Sequence, residues 1–292
     1  MHKKAAGAIR FGLGRVPRMV VESMRADERV VSVEGEDLRE AASASFGAAW
    51  IGHAGLLLRQ GATTILADPV LSHRIGPRVL GRVIGPSRML SPGVTPELLP
   101  RIDLVLVTHA HYDHLDRATL EMLANPRTVV VTARRTGRLV PRGYAGVVEL
   151  DWDECAELAG VGVRAIRPVH WGGRRAIDVA RGFNSYLLEG GGRRALVAGD
   201  TARTNAYAGL GAIDLAAFGI GAYEPSDHHH ATPEQVWGMF TQMPGRWLLP
   251  VHHSTFELSR ERVEEPMRRL LGAAGEEAGR VLRVRPGELW TP

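Results

Sequence analysis

Four side chains that bind divalent metal ions lie within six residues of one another at His109, His111, Asp113 and His114. They follow the apolar run 104–107, which is typical of a buried strand. His109 and His111 can both approach one ion from a turn, and Asp113 with His114 can reach a second. Imidazole and carboxylate ligands suit borderline-soft divalent ions such as zinc. A lone histidine is most often an ordinary polar residue, but this order and spacing predict a metal site.

Three more candidate ligands each follow a predicted strand at its carboxyl end: His170, Asp200 and His252. The carboxyl ends of strands are where α/β folds gather their site residues. Each of these residues alone is as readily explained as a turn or capping residue. Together with the histidine-rich segment they predict a site for two metal ions, which the carboxylate of Asp200 can bridge.

The elements that must position these residues are short apolar runs bounded by glycine, proline and aspartate, which predict strands. These strands cover 48–58, 63–67, 102–108, 128–132, 161–166, 183–188, 195–198, 215–220 and 247–251. Helices are predicted over 117–124, over 232–243 and over 258–274, the last with a kink at Pro266. Residues 71–100 contain five prolines and predict a long irregular connection, a kind of segment that is often functional. Strands and helices alternate without a linker, so we expect one α/β domain.

The composition excludes several kinds of chemistry. The chain has 292 residues, of which 45% are hydrophobic and 23% charged, values typical of a globular protein. Lys3 and Lys4 are its two lysines, which excludes a P-loop, a Ser-x-x-Lys nucleophile and a lysine Schiff base to pyridoxal phosphate. Residues 190–195 fit a G-x-G-x-x-A dinucleotide pattern, but another strand follows them, so we interpret them as a hairpin turn.

The charge is uneven along the chain. The net charge is +4, yet residues 1–25 alone carry six basic residues and one acidic residue, a balance of +5. We therefore predict a basic N-terminal arm over 1–45, with a short helix over 17–29, and a main domain over 46–292. Such an arm can contact anionic lipid, or it can be a solvated terminus. The lone Cys155 excludes a disulfide framework, and we expect a cytoplasmic location, with peripheral membrane contact through the arm as the alternative to a solvated terminus.

The chain resembles the metallo-β-lactamase superfamily through His109-x-His111-x-Asp113-His114 and the three later ligands. More narrowly, it resembles the branch of N-acyl-phosphatidylethanolamine phospholipase D and the ascorbate-phosphate lactonases. The narrower likeness covers roughly residues 46–290. It rests on segments in consistent order at 50–54, 68–69, 111–116, 149–152, 170–171, 199–201, 219–225, 230–234 and 251–256.

The resemblance implies an α/β fold, the four-layer αβ/βα sandwich of that superfamily, with the metals in a cleft along the sheet edges. It implies seven metal ligands: His109, His111 and His170 for the first ion, Asp113, His114 and His252 for the second, and Asp200 as the bridge. Zinc is the metal implied most often, with manganese or iron as alternatives. Asp68 would orient a ligand histidine, and His53 and His230 would line the cleft.

Positions on the substrate side depart from the phospholipase-like pattern. A Trp-Gly-x-Trp segment is missing at 181–186, Ala202 and Arg203 replace the usual Gly-Tyr, and His253 stands where tryptophan is expected. These departures weaken the lipid interpretation and leave the metal ligands intact. In the triple 228–230 only His230 matches the family, and we expect the other two histidines to be solvated loop residues.

The hypothesis is a metal-dependent hydrolase in which a hydroxide activated by two metals attacks a phosphodiester. Asp113 would accept a proton, and His230 would act as leaving-group acid or oxyanion donor. Arg174, Arg175 and Arg203 are candidates for holding a phosphate, and they are explained equally well as exposed arginines of an arginine-rich chain. The alternatives are a lactonase or other ester hydrolase, a non-catalytic metal-binding regulatory protein, and a di-iron or flavin-linked oxidoreductase. We expect a small-molecule or lipid substrate, since the neutral main body disfavours nucleic acid. The oligomeric state is left open.

Overall fold

A seven-stranded mixed sheet forms one half of the protein. The structure is a computed structural model that describes residues 30–174, 178 and 180–292. In spatial order, with strands numbered along the chain, the sheet comprises β15 (Leu289–Trp290), β1 (Phe46–Gly52), β2 (Gly55–Gln60), β3 (Thr63–Ala67), β6 (Leu104–Val107), β7 (Val129–Ala133) and β8 (Gly146–Leu150). The pairs from β3 to β8 are parallel, so their carboxyl ends meet at one edge of the sheet.

A six-stranded sheet forms the other half. Its strands are β14 (Gly245–Val251), β13 (Ile213–Gly219), β12 (Arg193–Val197), β11 (Ser185–Gly190), β10 (Val161–Ile166) and β9 (Cys155–Leu158). The pairs β12–β13 and β13–β14 are parallel. A separate two-stranded hairpin joins β4 (Arg78–Val79) to β5 (Arg82–Val83).

Three α-helices and four 3-10 helices cover the outer faces of the sheets within the described residues. They are α1 (Arg117–Met122), α2 (Pro233–Gln242) and α3 (Glu265–Ala274), with 3-10 turns at Leu38–Ser43, Pro96–Leu98, Gly137–Leu139 and Gly275–Arg280. Thr232 caps α2 through a reciprocal capping box with Gln235, and Pro233 occupies its first turn.

The core has three apolar layers between four layers of secondary structure. The middle layer joins the facing sides of both sheets, with Leu58, Leu106, Val163 and Tyr186 among its buried members. A second layer lies between the six-stranded sheet and α2 with α3, and a third between the seven-stranded sheet and α1. Each fully buried leucine or valine contributes about 1.5–3 kcal/mol of transfer free energy. The predicted four-layer α/β sandwich is therefore what the chain forms.

Most predicted strands are present, and two differences have clear causes. Strands 63–67 and 161–166 match the prediction, and the glycine run at 190–192 is a hairpin turn as interpreted. The predicted strand 48–58 is two strands, because Gly52 and His53 turn the chain with φ of 109° and 52° inside the apolar run. The predicted helix 258–274 begins only at Glu265, so Pro266 lies in its first turn and produces no kink.

Only part of the predicted arm lies among the described residues. The helix predicted over 17–29 lies outside them. Within 30–45, Leu38 and Ala41 are buried in the apolar layer beside the seven-stranded sheet. Within the portion of the chain that the structure describes, no helix combines the length and apolar character needed to span a membrane.

Candidate metal centre

Side chains from the ends of strands in both sheets converge on one place. His53 follows β1, Asp68 follows β3, His109 lies two residues after β6, and His252 follows β14. Three of these residues have left-handed backbones, with φ of 52° at His53, 40° at Asp68 and 60° at His252. A left-handed conformation costs about 1–2 kcal/mol for a residue with a side chain. The packed strand ends hold this strain, and the turns aim the side chains inward.

The first group of candidate ligands is His109, His111, His170 and Asp200, whose ligand atoms all lie within 4.8 Å of one another. His109 Nε2 lies 2.7 Å from His111 Nδ1, which lies 3.3 Å from His170 Nε2. Asp200 Oδ2 lies 3.7 Å from Nε2 of both His109 and His170. The three histidines predicted for one ion therefore surround a common point beside a carboxylate.

The second group is Asp113, His114, His252 and His53. Asp113 Oδ2 lies 3.1 Å from His53 Nε2, 3.2 Å from His252 Nε2 and 3.8 Å from His114 Nε2. His53 was predicted only to line the cleft. The structure places its ring within this group, with its centroid 4.2 Å from that of His252.

Asp200 lies between the two groups. Its Oδ2 is 3.1 Å from His114 Nε2, and its Oδ1 is 3.4 Å from His252 Nε2. His230 stands beside it, with Nδ1 3.8 Å from Asp200 Oδ2 and its side chain 17% exposed at the rim. All seven predicted ligands and His230 are thus brought together, and Asp200 occupies the position expected of a bridge.

Asp68 and Thr108 hold the histidines from behind. Asp68 Oδ2 lies 2.7 Å from His114 Nδ1 and accepts a hydrogen bond of 2.6 Å from Thr108 Oγ1. Thr108 Oγ1 also lies 2.9 Å from His109 Nδ1. Polar partners on the second ring nitrogen fix the orientation of metal-binding histidines. The sequence analysis identified Asp68 and missed Thr108, whose only signal is its position directly before His109.

His170 is oriented by a backbone group. Its Nδ1 lies 3.0 Å from the carbonyl oxygen of His229, so its Nε2 faces Asp200. His229 is half-buried, whereas His228 is exposed as expected for a solvated loop residue. A backbone carbonyl has no residue-type signature, so sequence reasoning could not identify this contact.

Burial and neighbouring charges set the protonation of the site. Burial lowers the pKa of His111 to about 4 and that of His53 to about 3. Burial also lowers the pKa of His230 to about 4. Burial alone would lower the pKa of His114, but nearby carboxylates, above all Asp200, raise it well above its ordinary value. Neutral imidazoles with a free lone pair are the form that binds metal.

The carboxylates are ionised despite their burial. Burial raises the pKa of Asp200, but the surrounding histidines, led by His114, hold it well below its ordinary value. Five buried polar atoms of the site form no hydrogen bond with any described residue: His53 Nδ1, His111 Nε2, His114 Nε2, Asp200 Oδ1 and His252 Nδ1. Unsatisfied buried polar atoms are costly. A donor set of imidazoles and carboxylates with such atoms fits a pair of divalent ions.

The predicted phosphate-binding arginines differ in their placement. Arg174 Nη1 donates hydrogen bonds of 2.9 Å to the Ala110 carbonyl and 2.8 Å to the Leu115 carbonyl, and its guanidinium lies 4.0 Å from the Tyr112 ring centre. Arg174 therefore binds the backbone of the histidine-rich turn. This contact replaces the expected role of holding a phosphate, because the guanidinium is already bonded to these carbonyls. Arg175 lies outside the described residues, and Arg203 is exposed.

Aromatic rings complete the surroundings of the site. Trp171 is 38% exposed at the rim, and its ring centroid lies 4.3 Å from that of His111. The half-buried imidazole of His253 stacks on Trp50 with a centroid distance of 4.7 Å. His253 therefore packs against Trp50.

Comparison with known proteins agrees with this geometry. The chain matches the family model described as "Beta-lactamase superfamily domain" over residues 63–253. This stretch includes all seven predicted ligands. An uncharacterized protein of Mycobacterium tuberculosis is 33% identical over 262 residues, which cover 83% of this chain and 68% of that protein.

Two further relatives carry functional names. N-acyl-phosphatidylethanolamine-hydrolyzing phospholipase D 1 of Caenorhabditis elegans is 28% identical over 72% of this chain and 64% of its own length. A protein of Thermus thermophilus named a metal-dependent hydrolase is 26% identical over 82% of this chain and 96% of its own length. Among solved structures, a possible metal-dependent hydrolase from Veillonella parvula superimposes with a TM-score of 0.67 at 17% identity, covering 85% of this chain and 100% of that one. The structural likeness supports the same fold.

Proposed function

We propose that the protein hydrolyses a phosphodiester. The proposal starts from the family: the chain belongs to the β-lactamase superfamily and is a metal-dependent hydrolase. Its candidate metal-binding cluster consists of histidines and aspartates. The observation that carries the proposal is the pair of ligand groups that share Asp200, since two adjacent divalent ions suit displacement at phosphorus. The relative named a phospholipase D supports a phosphodiester over other esters. The substrate class we propose is a small molecule or lipid.

We propose that His109, His111 and His170 hold one ion, that Asp113, His114 and His252 hold the other, and that Asp200 bridges them. His53 is a further candidate beside the second ion, because its Nε2 lies as close to Asp113 as that of His252 does. Zinc fits the imidazole-rich donor set best. When bound, such a pair of ions supplies a nucleophile at neutral pH by lowering the pKa of water, and it offsets charge on the substrate.

The protein's own side chains would supply orientation and proton transfer. Asp113 is positioned to accept a proton from the nucleophile, because its Oδ2 faces the histidines of the second group. His230, on the open side of Asp200, is positioned to donate a hydrogen bond from its neutral ring to the leaving group or oxyanion, because its lowered pKa of about 4 disfavours the role of leaving-group acid at neutral pH. Asp68 and Thr108 keep the rings of His114 and His109 fixed during this exchange.

A lactonase or other ester hydrolase is the second candidate function. The observation in its favour is that substrate-side positions depart from the phospholipase-like pattern, as at His253, which packs on Trp50. A non-catalytic regulatory role is disfavoured by the complete ligand set. Contact of the basic N-terminus with a membrane and a cytoplasmic location also stay predictions.

A substrate panel tests the proposal. Purified protein loaded with zinc, manganese or iron is assayed on bis(p-nitrophenyl) phosphate, on N-acyl-phosphatidylethanolamine in vesicles and on a γ-lactone. We expect metal-dependent cleavage of at least one phosphodiester, its loss in His109→Ala and its retention in the exposed control His228→Ala. Cleavage of the lactone alone would favour the second candidate, and activity that persists in His109→Ala would overturn the metal-dependent mechanism.

A further inference from the structure

A two-stranded hairpin lies within the connection 71–100. The segment 73–88, called the finger below, runs out through β4 and returns through β5. At its tip Val79 is 51% exposed and Leu80 is 100% exposed. Single exposed apolar residues are ordinary, but two consecutive ones at the end of a projection form a pointed apolar surface.

The turn at the tip is unusual for the residue that forms it. Arg78 pairs with Val83 and Val79 with Arg82, which leaves a two-residue loop of Leu80 and Gly81. Both have positive φ, 48° at Leu80 and 80° at Gly81, a combination that normally selects asparagine or glycine at the first position. A leucine that is strained and fully exposed gains nothing from the fold. An unfavourable residue at such a place suggests a function outside the folded chain.

The stem of the finger is stiff. Backbone hydrogen bonds cross it from Ile84 to Pro77, from Ile75 to Pro86 and from Arg88 to His73. Gly76 and Gly85 let its two strands approach closely, since a Cβ at Gly76 would lie 2.0 Å from the carbonyl oxygen of Ile84. The tip is therefore held away from the domain at a defined place.

The base of the finger contacts the metal centre. Val70, Ile75 and Phe256 form a small buried apolar cluster, and the Phe256 ring centroid lies 5.1 Å from that of His53. The buried Arg88 fastens the base, with its guanidinium 5.0 Å from the Phe256 ring centre and a bond to the Val70 carbonyl. The tip residue Leu80 is five residues from Ile75 in this cluster, a stretch that spans no more than about 18 Å when fully extended.

The charge of this region has one sign. Residues 69–96 contain four arginines and no aspartate or glutamate. Arg78 and Arg82 are exposed on either side of the tip, and neither forms an ion pair with any carboxylate in the described part of the chain. Apolar side chains flanked by arginines match the boundary between acyl chains and anionic headgroups.

We propose that the finger docks the protein on a lipid bilayer that carries anionic phospholipid, inserting Val79 and Leu80 and placing Arg78 and Arg82 among the headgroups. A protein partner or a second copy fits less well, because a stable protein interface buries about 800 Å² on each side and a six-residue tip offers far less. The inference deepens the proposed function. The docking itself does not depend on that function, but the statement that the enzyme binds its substrate at the membrane rests on it.

Vesicle sedimentation of the full chain tests the docking without turnover. Vesicles of phosphatidylcholine, with and without 30% phosphatidylglycerol, are compared for the wild type, Val79→Ser/Leu80→Ser, Arg78→Gln/Arg82→Gln and the control Val147→Ser on the outer strand β8. Each arginine near an anionic surface contributes about fivefold to partitioning, so the arginine pair should lose about 30-fold on anionic vesicles. The serine pair should lose about tenfold or more, and the control should not change.

Other results would overturn the docking proposal. The first is failure of the wild type to bind anionic vesicles. The second is loss of vesicle binding in Lys3→Gln/Lys4→Gln while the finger variants bind as the wild type does. The third is an oligomeric wild type whose Val79→Ser/Leu80→Ser variant is monomeric, which would indicate that the tip contacts a second copy of the chain. Activity on bis(p-nitrophenyl) phosphate is measured in parallel and should be equal in all finger variants. Docking without hydrolysis would refute the proposed function alone, whereas hydrolysis without docking would refute the finger's role alone.

Discussion

The metal centre and the finger place strained residues in opposite surroundings. His53, Asp68 and His252 have left-handed backbones and are buried, and their side chains contact neighbouring groups of the site. Leu80 has a similar φ of 48° at the end of a hairpin, with its side chain fully exposed. In the metal centre, packing and contacts offset the strain of the left-handed backbone. At Leu80, no contact within the described chain offsets that strain. The comparison separates two kinds of strained residue. The three residues of the metal centre are held in place by packing for the chemistry of the site, whereas Leu80 is exposed to solvent at the tip of the finger.

The largest expected effect is at the shared carboxylate. Asp200→Asn removes the negative charge that lies 3.1 Å from His114 and 3.4 Å from His252. Loss of several kcal/mol of metal-derived charge stabilisation corresponds to a fall in kcat/KM of about 10³-fold. The measurement is phosphodiesterase activity, with the exposed Asp227→Asn as matched control. Equal activity in the two variants would contradict the bridging role.

A smaller effect is expected behind the ligands. Asp68→Asn weakens the contact that orients His114 without touching the other candidate ligands of the second group. Losing such a partner reduces metal affinity by about 10–100-fold. Competition with a chelator measures this affinity. Asp214→Asn, which removes a carboxylate bonded to Arg193 and Arg194 on the outer part of β12, serves as control and should retain wild-type affinity.

In the finger, a substitution is expected to raise the stability of the protein and to lower its binding to vesicles. Leu80→Asn replaces a strained apolar residue with one that tolerates the left-handed conformation, so the free energy of unfolding should rise by up to about 1 kcal/mol. Vesicle binding should fall in the same variant. Chemical denaturation checks the first quantity. A clear loss of stability would show that Leu80 packs on the fold and would break the contrast with the metal centre.

The smallest effect, on the free energy of unfolding, is expected at the partly exposed ion pair between Arg269 and Glu234. Arg269 on α3 forms a bidentate contact of 2.8 Å with Glu234 on α2 and lowers the pKa of that carboxyl to about 2. Because the folded pKa lies below the unfolded value of 4.5, the pair stabilises above that pH and its contribution is lost as the pH falls towards 2. Solvent screening limits the effect of Glu234→Gln to about 0.2–1 kcal/mol. Denaturation at pH 7 and pH 3 should show this difference shrinking on acidification, whereas a difference that is as large at pH 3 as at pH 7 would contradict it.

The sequence predicted the metal centre better than its supports. Spacing in the histidine-rich segment and the position of His170, Asp200 and His252 after strands were enough to identify a cluster. His53 was expected to line the cleft, but its position among the second group of ligands was missed, because one histidine inside an apolar run looks like part of a strand. The carbonyl of His229 could not be found, since every residue has one.

The finger shows a second limit. Its glycines, arginines and prolines predicted an irregular connection, and the close approach of Gly76 and Gly85 is visible only in three dimensions. Exposure decides the meaning of Leu80, and a leucine in a loop carries no sequence signal of its own exposure. The pairing of the two strands across the hairpin therefore determines the shape of this segment, and the sequence pattern did not reveal that pairing.

The metal content of the purified chain tests the central claim most directly. Inductively coupled plasma mass spectrometry on the wild type, His109→Ala, Asp113→Asn and the control His228→Ala counts the ions bound per chain. The two ligand groups predict two divalent ions in the wild type and the control, and the loss of at least one in each ligand variant. An unchanged ion count in both ligand variants, or a wild type that binds no divalent metal, would contradict a dinuclear centre at this site.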